Sequence, residues 1–210
     1  IAADQTGAAY VEDGKNHRVQ KFDSDGDFIL MFGRDVNKTK VGEPGATQAE
    51  RNVCTAVSGD ECGAGVKGSG GGGFSVAPPQ LGDLIDIAPN NSVYIGDDER
   101  VQHFSPAGAL LEEFTYASVA GLPDKPLVGL AVDPAGDLYL SFVQNFTTQF
   151  AEIPFAFKVD PVGRELVDTL EAPFARAIAI DSAGNVYVSL KDEVAKFDGA
   201  DDLRAVGHPG

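Results

Sequence analysis

Asp23-Ser24-Asp25-Gly26-Asp27 places three carboxylates within five residues, and clustered oxygens of that kind suit a hard cation such as calcium. The spacing argues for something simpler. Glycine falls fourth rather than sixth, and no glutamate closes a twelve-residue loop, so a hairpin turn is the better reading. Asp4, Asp133 and Asp181 each end a similar tetrad, Ile1-Ala-Ala-Asp4, Leu130-Ala-Val-Asp133 and Ile178-Ala-Ile-Asp181. Equivalent carboxylates could ring a channel mouth and hold a cation. An Asp at the head of an Asp-x-x-Gly turn, however, accepts hydrogen bonds from its own turn amides, and that is the expected role here. The histidines, His17, His103 and His208, stand at unrelated places, and no metal-ligand set follows from them. Gly68-Ser-Gly-Gly-Gly-Gly73 is followed by Phe74-Ser-Val-Ala-Pro rather than the Gly-Lys-Ser/Thr of a phosphate loop. No Gly-x-Ser-x-Gly motif supports a serine nucleophile. No catalytic residue, metal or cofactor is therefore expected.

Cys54 and Cys62 are the only cysteines. They lie in a Gly/Ser/Asp-rich stretch with little core of its own, so a short disulfide-closed loop is the favoured reading and two free thiols the alternative. A disulfide implies an oxidising compartment, which places the chain outside the cell or in its envelope. Asn37-Lys-Thr, Asn90-Asn-Ser and Asn145-Phe-Thr match the glycosylation acceptor pattern, a short motif that arises often by chance.

The elements that must carry these residues are short strands. Tyr10–Gly33 reads as three: Tyr10-Val11, Arg18–Phe22 and Phe28–Phe32, joined by Asp-Gly-Lys-Asn and by Asp23–Gly26. Each strand is β-branched or aromatic and each break holds the Gly, Asn or Asp that a tight turn needs. With Ile1–Asp4 in front, the unit is a four-stranded antiparallel meander. The unit repeats. A tyrosine follows Ile1, Ile85, Leu130 and Ile178 by nine positions, at Tyr10, Tyr94, Tyr139 and Tyr187. A second apolar landmark follows at Phe22, Phe104, Val159 and Phe197, with Gly26, Gly108 and Gly163 four residues beyond the first three. Repetition at this length signals stacked supersecondary units that bury their faces against one another.

The repeat resembles the NHL-type β-propeller blade. The resemblance rests on Asn16-His17-Arg18-Val19-Gln20-Lys21-Phe22-Asp23, on Asp25-Gly26 and on Phe32-Gly33, with Arg100-Val-Gln-His-Phe104 and Val194-Ala-Lys-Phe-Asp198 echoing it later. The chain lacks tryptophan, and neither a Trp-Asp pair nor a Gly-Gly kelch signature is present. The expected fold is all-β: a propeller segment of four four-stranded antiparallel blades with an irregular insertion after the first. Residues 1–33 form the first blade and 34–80 the insertion, with its disulfide loop and a Gly-rich linker that is flexible by composition. Residues 81–120 form the second blade, 121–170 the third with a long middle loop, and 171–210 the fourth and the start of another. Val206-Gly-His-Pro-Gly210 reads as the opening of a further blade, and propellers of this type commonly close with roughly five or six, so an incomplete ring is expected.

The net charge is −16, from 32 acidic and 16 basic residues. Such a surface repels phosphate backbones and anionic bilayers, which argues against nucleic-acid and membrane partners. With strands labelled a to d outward from the axis, a–b and c–d turns share one face of the disc, and b–c and d–a connections share the other. The first set is uniformly tight, whereas the long segments Arg34–Gln80 and Phe142–Pro154 both belong to the second. Long loops on a rigid scaffold are where function gathers. The expected function is thus a non-catalytic binding or scaffold module for a protein or small-molecule ligand. Its site residues are Asp13, Asn16, Asp97, Asp98, Glu99, Gln144, Asn145, Phe146, Lys191 and Asp192. The alternative, which the resemblance also implies, is a metal-dependent lyase or hydrolase centred on the channel of a complete propeller.

Overall fold

Four antiparallel sheets form because the same turn recurs. The computed structural model describes residues 1–75, 84–97, 99–142, 156–170, 172, 175–190 and 193–198. The first sheet runs β1 (Ala2–Ala3), β2 (Ala9–Asp13), β3 (Arg18–Phe22), β4 (Phe28–Phe32) and β5 (Val53–Thr55). The second holds β6 (Ile85–Ile87), β7 (Val93–Gly96), β8 (Arg100–Phe104) and β9 (Leu110–Thr115). The third holds β10 (Leu127–Val132), β11 (Leu138–Phe142), β12 (Ala156–Asp160) and β13 (Glu165–Leu170). Three strands of the fourth are described: β14 (Ile178–Ile180), β15 (Val186–Ser189) and β16 (Val194–Phe197). Innermost strands are neighbours in sequence order, β1 against β6, β6 against β10 and β10 against β14, in a row that does not close among the described residues.

Strand alternation gives the two middle sheets two buried faces each. In β7, Val93 and Ile95 pack toward the first sheet with Phe32, Leu30 and Phe104, while Tyr94 packs toward the third with Leu130 and Leu138. In β11, Leu138, Leu140 and Phe142 face the second sheet and Tyr139 faces the fourth beside Val186 and Phe197. The four tyrosines found by spacing therefore occupy one ladder position, and Tyr10, Tyr94 and Tyr139 each point at the following sheet. Across the ladder each pairs with a basic residue: Tyr10 with Lys21, Tyr94 with His103, Tyr139 with Lys158 and Tyr187 with Lys196. The three lysine ammoniums sit 4.7, 5.4 and 5.5 Å from their ring centroids, within cation–π range. A β-bulge follows the basic residue in the first three sheets, at Lys21/Phe22, His103/Phe104 and Lys158/Val159.

The insertion is more ordered than its composition indicates. β5 extends the first sheet by pairing with β4. Two single-turn helices precede it, α1 (Lys38–Gly42) capped by Asn37 and α2 (Gln48–Arg51) closed by a Thr47–Glu50 capping box. Cys54 and Cys62 are bonded, with Cα atoms 5.6 Å apart, and Cys54 lies in a small core with Met31 and Val36. Closing so short a loop contributes about 2–3 kcal/mol in the chain-entropy view. Asn37 is 3% exposed, its amide donating to the Val53 carbonyl and to Asp60, so the first acceptor motif offers no accessible side chain.

Two expectations test this packing. Lys158 Nζ lies 3.0 Å from Asp133 and 3.1 Å from Asp137. Burial works against its charge, but the two carboxylates and the Tyr139 ring raise it well above the ordinary lysine range. Lys158→Met leaves a buried carboxylate without its cation and is expected to cost about 1–3 kcal/mol in denaturant unfolding. Asp86, on β6, accepts from the Val132 amide of β10 at 2.8 Å. Burial raises it above the usual carboxylate range, against hydrogen bonds from Val132 and Ile87 that pull the other way. A raised carboxyl favours folding below its unfolded-state value, and that contribution is lost as pH rises through the folded one. Asp86→Asn cannot ionise but keeps one of the two acceptor oxygens that receive Val132 and Ile87, so its melting temperature relative to the parent's is expected to be higher at pH 7 than at pH 3.

Candidate functional site

The two b–c turns that are described at this edge are built as carboxylate–guanidinium clips. Asp13 accepts from Arg18 Nε at 3.0 Å and from Asn16 Nδ2 at 2.9 and 3.0 Å. Burial opposes ionisation of Asp13, but Asn16 and Arg18 hold it below the usual carboxylate range. Asp97 is 1% exposed and accepts from Arg100 Nε at 3.1 Å. Two of the four aspartates predicted as contact residues, Asp13 and Asp97, thus bond to arginines of their own turns, while Asn16 and Glu99 are exposed at the rim. Asp98, Gln144, Asn145, Phe146, Lys191 and Asp192 lie outside the described residues. His17 closes the first b–c turn in the left-handed region, at φ 49°, and its part in the turn is structural.

The glycine-rich segment follows the same edge, and it is held rather than loose. The Gly65 amide donates to the Asn16 carbonyl at 2.7 Å. Farther on, Arg100 donates to the carbonyls of Ser69 (2.6 Å) and Gly73 (2.8 Å) and to Glu113 (2.6 Å). Gln102 completes the grip, donating to the Gly73 carbonyl at 2.9 Å and accepting from the Gly72 amide at 3.0 Å. Glycine is required here: a Cβ at Gly73 would stand 2.8 Å from the Gly68 carbonyl oxygen and 3.0 Å from that of Gly70. Between this segment and the chain leaving β9 lies a cleft of about 330 Å³, lined by Ser69, Asp97, Glu99, Glu113, Ser118 and Arg164. Its three carboxylates outnumber its cations, and Arg100 is already bonded on every side.

The opposite face carries the tight a–b turns. Asp4, Asp133 and Asp181 each accept from two amides of their own turn: Thr6 and Ala8, Ala135 and Asp137, Ala183 and Asn185. Asp23 does the same with Asp25 and Asp27. These carboxylates are turn caps, as the spacing indicated. Hydrogen bonds from the Asn185 side chain and amide, with a smaller contribution from the Tyr187 hydroxyl that donates at 3.1 Å, hold the Asp181 carboxyl below its ordinary range.

The second sheet departs from this pattern. Ala88 replaces the capping aspartate, Asn91 takes the left-handed place of glycine at φ 64°, and the Asn90 side chain receives the Ser92 amide instead. His103 stands where the other sheets have lysine, stacked on Tyr94 with centroids 4.1 Å apart and planes 4° apart. A second cleft of about 330 Å³ opens here toward the third sheet, lined by Ser92, Tyr94, His103, Glu112, Asp137 and Asp160. Burial, with the nearby charges of Glu112 and Asp160, pushes the Tyr94 phenol up to about 12. Sequence reading placed nothing on this face. The signal was available in the aligned repeats, where Ala88 and His103 break a pattern that Asp4/Lys21 and Asp133/Lys158 keep.

Among the described residues, no three His, Cys, Asp or Glu side chains are grouped to hold a metal ion, and no helix is long and apolar enough to cross a membrane. No family model matches the sequence, and no curated protein matches it as a relative. Solved structures do. Virginiamycin B lyase from Staphylococcus aureus is similar over 99% of this chain and 54% of its own, at 11% identity and a TM-score of 0.52. The dihydro-heme d1 dehydrogenase NirN matches over 98% of this chain and 36% of its own, at 16% identity and a TM-score of 0.51. A putative exported protein from Bacteroides fragilis matches over 98% and 51%, at 12% identity and a TM-score of 0.51. The chain has the β-propeller fold. It spans about half the length of the lyase, and at such identities the likeness concerns the propeller scaffold alone.

The grip on the glycine segment can be tested directly. In the Arg100→Gln propeller, amide hydrogen exchange at Gly72 and Gly73 is expected to quicken by about 10-fold or more, while β11 amides stay protected. Unchanged exchange would mean that Gln102 and local packing hold the segment without the guanidinium.

Proposed function

We propose that this chain is an NHL-type, non-catalytic propeller module that binds a protein or small-molecule partner on the face of its b–c turns and long insertion. The observation that carries the reading is the course of the insertion. From Gly65 at Asn16 to Gly73 at Arg100, it runs along that edge and frames an acidic cleft beside Glu99 and Glu113. Pre-set backbone next to exposed polar side chains is a low-cost way to present a surface, since little ordering remains for the partner to drive. Glu99, with Glu113 beside it, favours a basic or neutral partner over an acidic one. The NHL assignment is supported by the matching Asp13–Arg18 and Asp97–Arg100 clips, whose arginines lie within the residues carrying that resemblance. Cys54–Cys62, together with the likeness to a protein described as exported, supports a location outside the cell or in its envelope.

Affinity capture with the purified chain, identified by mass spectrometry and repeated at rising salt, tests the reading. A basic or neutral partner is expected, with association slowing as ionic strength increases. Glu99→Lys and, separately, an Asn145/Phe146 double alanine variant should each weaken capture. Equal capture by both folded variants, with loss on substitution at Asp133–Gly136 or Ser105–Gly108, would move the site to the other face. A second reading, a metal-dependent lyase or hydrolase, draws on the likeness to virginiamycin B lyase. Stoichiometric zinc or calcium in the full-length protein, removed by chelation together with a lytic activity, would favour it instead.

A further inference from the structure

Each seam between sheets is made the same way, from a projecting face and a receiving one. Between the first two sheets, Tyr10 and Val19 project onto Val93, Ile95 and Phe104. Between the second and third, Tyr94 and Val101 project onto Leu138, Leu140 and Val159. Between the third and fourth, Tyr139 and Ala156 project onto Val186, Val188 and Phe197. Ladder register fixes these sites. The projecting pair comes from the second and third strands of its sheet, and the receiving trio from the same two strands of the next.

A row of four sheets leaves one face of each kind over. The fourth sheet has the projecting residues, Tyr187 and Val194, and the first has the receiving ones, Ala9, Val11 and Phe22. Neither set is covered as its counterparts are. Val194 is 56% exposed, whereas Val19, Val101 and Ala156, at the same site, are 0% exposed. Tyr187 is partly open, whereas Tyr10, Tyr94 and Tyr139 are buried. Ala9, Val11 and Phe22 are likewise partly open, and every counterpart in the later sheets is buried. The insertion covers the first sheet's receiving face toward its outer edge, where Val36 and Cys54 pack on Met31. Ala9, Val11 and Phe22 lie farther in, where the other seams receive their tyrosine.

We propose that a second copy of this chain fills these faces, the fourth sheet of one copy packing head to tail on the first sheet of the other. The occupant follows from continuity with the three seams already built. Tyr187 with Val194 presents the shape that Tyr10 with Val19 presents, and Ala9, Val11 and Phe22 form the kind of apolar wall those pairs meet. An unrelated partner would have to imitate half a seam, whereas a copy of the chain carries both halves. The polar end of Tyr187 is already satisfied, its hydroxyl donating to Asp181 and Lys196 lying 5.5 Å from its ring centroid, so the seam has only apolar surface to cover. Alanine stands where the later sheets have Val93, Leu138 and Val186, which makes this wall shallower and the contact weaker than the seams within the chain. A net charge of −16 on each copy opposes the approach, and salt screens that repulsion. Association between copies therefore strengthens with ionic strength, the opposite of a basic partner held at the loop-bearing edge. Because the contact joins unlike faces, copies close into a ring or extend as a row according to the rotation at each step.

Sedimentation of the 210-residue chain, at concentrations up to about 100 μM and at low and high salt, tests the seam. The parent is expected to reach twice the mass of one chain or more as concentration and salt rise. Val194→Glu and Val11→Glu each put a charge into the seam, and each is expected to weaken association about 100-fold. Should Val11→Glu fail to fold, Ala3→Glu, at an exposed site on the same face, takes its place. Mixing the two variants gives the sharper reading. The first keeps an intact receiving face and the second an intact projecting one, so the mixture is expected to form dimers and nothing larger. A parent that stays monomeric at high salt overturns the proposal and leaves these faces to something other than this chain. Association that survives both substitutions, or that mixing fails to restore, overturns it too, since the copies would then meet elsewhere.

Discussion

A basic side chain laid across a buried tyrosine, beneath a turn that caps itself, is the interaction on which this propeller depends. The tyrosine sends its ring into the seam with the next sheet, where only apolar or fully paired groups are tolerated. Its polar end and its basic cross-strand partner remain at the mouth of that seam, where the turn carboxylate meets them. Lys21 shows the balance: burial works against its charge, and Tyr10 and Asp4 together more than offset it, leaving the ammonium above its ordinary range. One residue triplet thus links three scales, the turn, the ladder and the stacking of sheets. The bulge that follows the basic residue belongs to the same device, since an extra residue there sharpens the local twist where the chain turns back.

This coupling explains why the sheets were legible in the sequence. Tyrosine spacing tracks the interval from an inner strand to its neighbour, which the tight turn keeps nearly constant. The bounds of β3 and β4 fall on the residues that alternation and turn chemistry select. The aspartate caps were legible for the same reason, being local contacts within four residues.

The order of the insertion was hidden because its causes are distant. Gly68–Gly73 is flexible by composition, and the groups that hold it, Arg100 and Gln102, arrive some thirty residues later. Two of the contact residues assigned from the turns, Asp13 and Asp97, have partners inside the fold that the turns alone did not reveal. An acidic turn residue was taken as available to a partner, although Arg18 stands five positions after Asp13 and Arg100 three after Asp97, close enough to claim them. The cleft at His103 escaped notice because the histidines were weighed as metal ligands and not as occupants of the lysine position.

The fifth strand of the first sheet bears on the order in which the molecule is assembled. A chain made from its amino terminus completes β1 to β5, with their cystine, before Arg100 exists to receive the glycine segment. The first sheet can thus cover its own outer edge with β5, where an unpaired ladder would otherwise invite pairing with another chain. The face it turns to the second sheet must wait for that sheet, and so must the hold of the Arg100 and Gln102 side chains on Ser69, Gly72 and Gly73. The segment across the first seam thus takes its last hydrogen bonds from side chains of the second sheet.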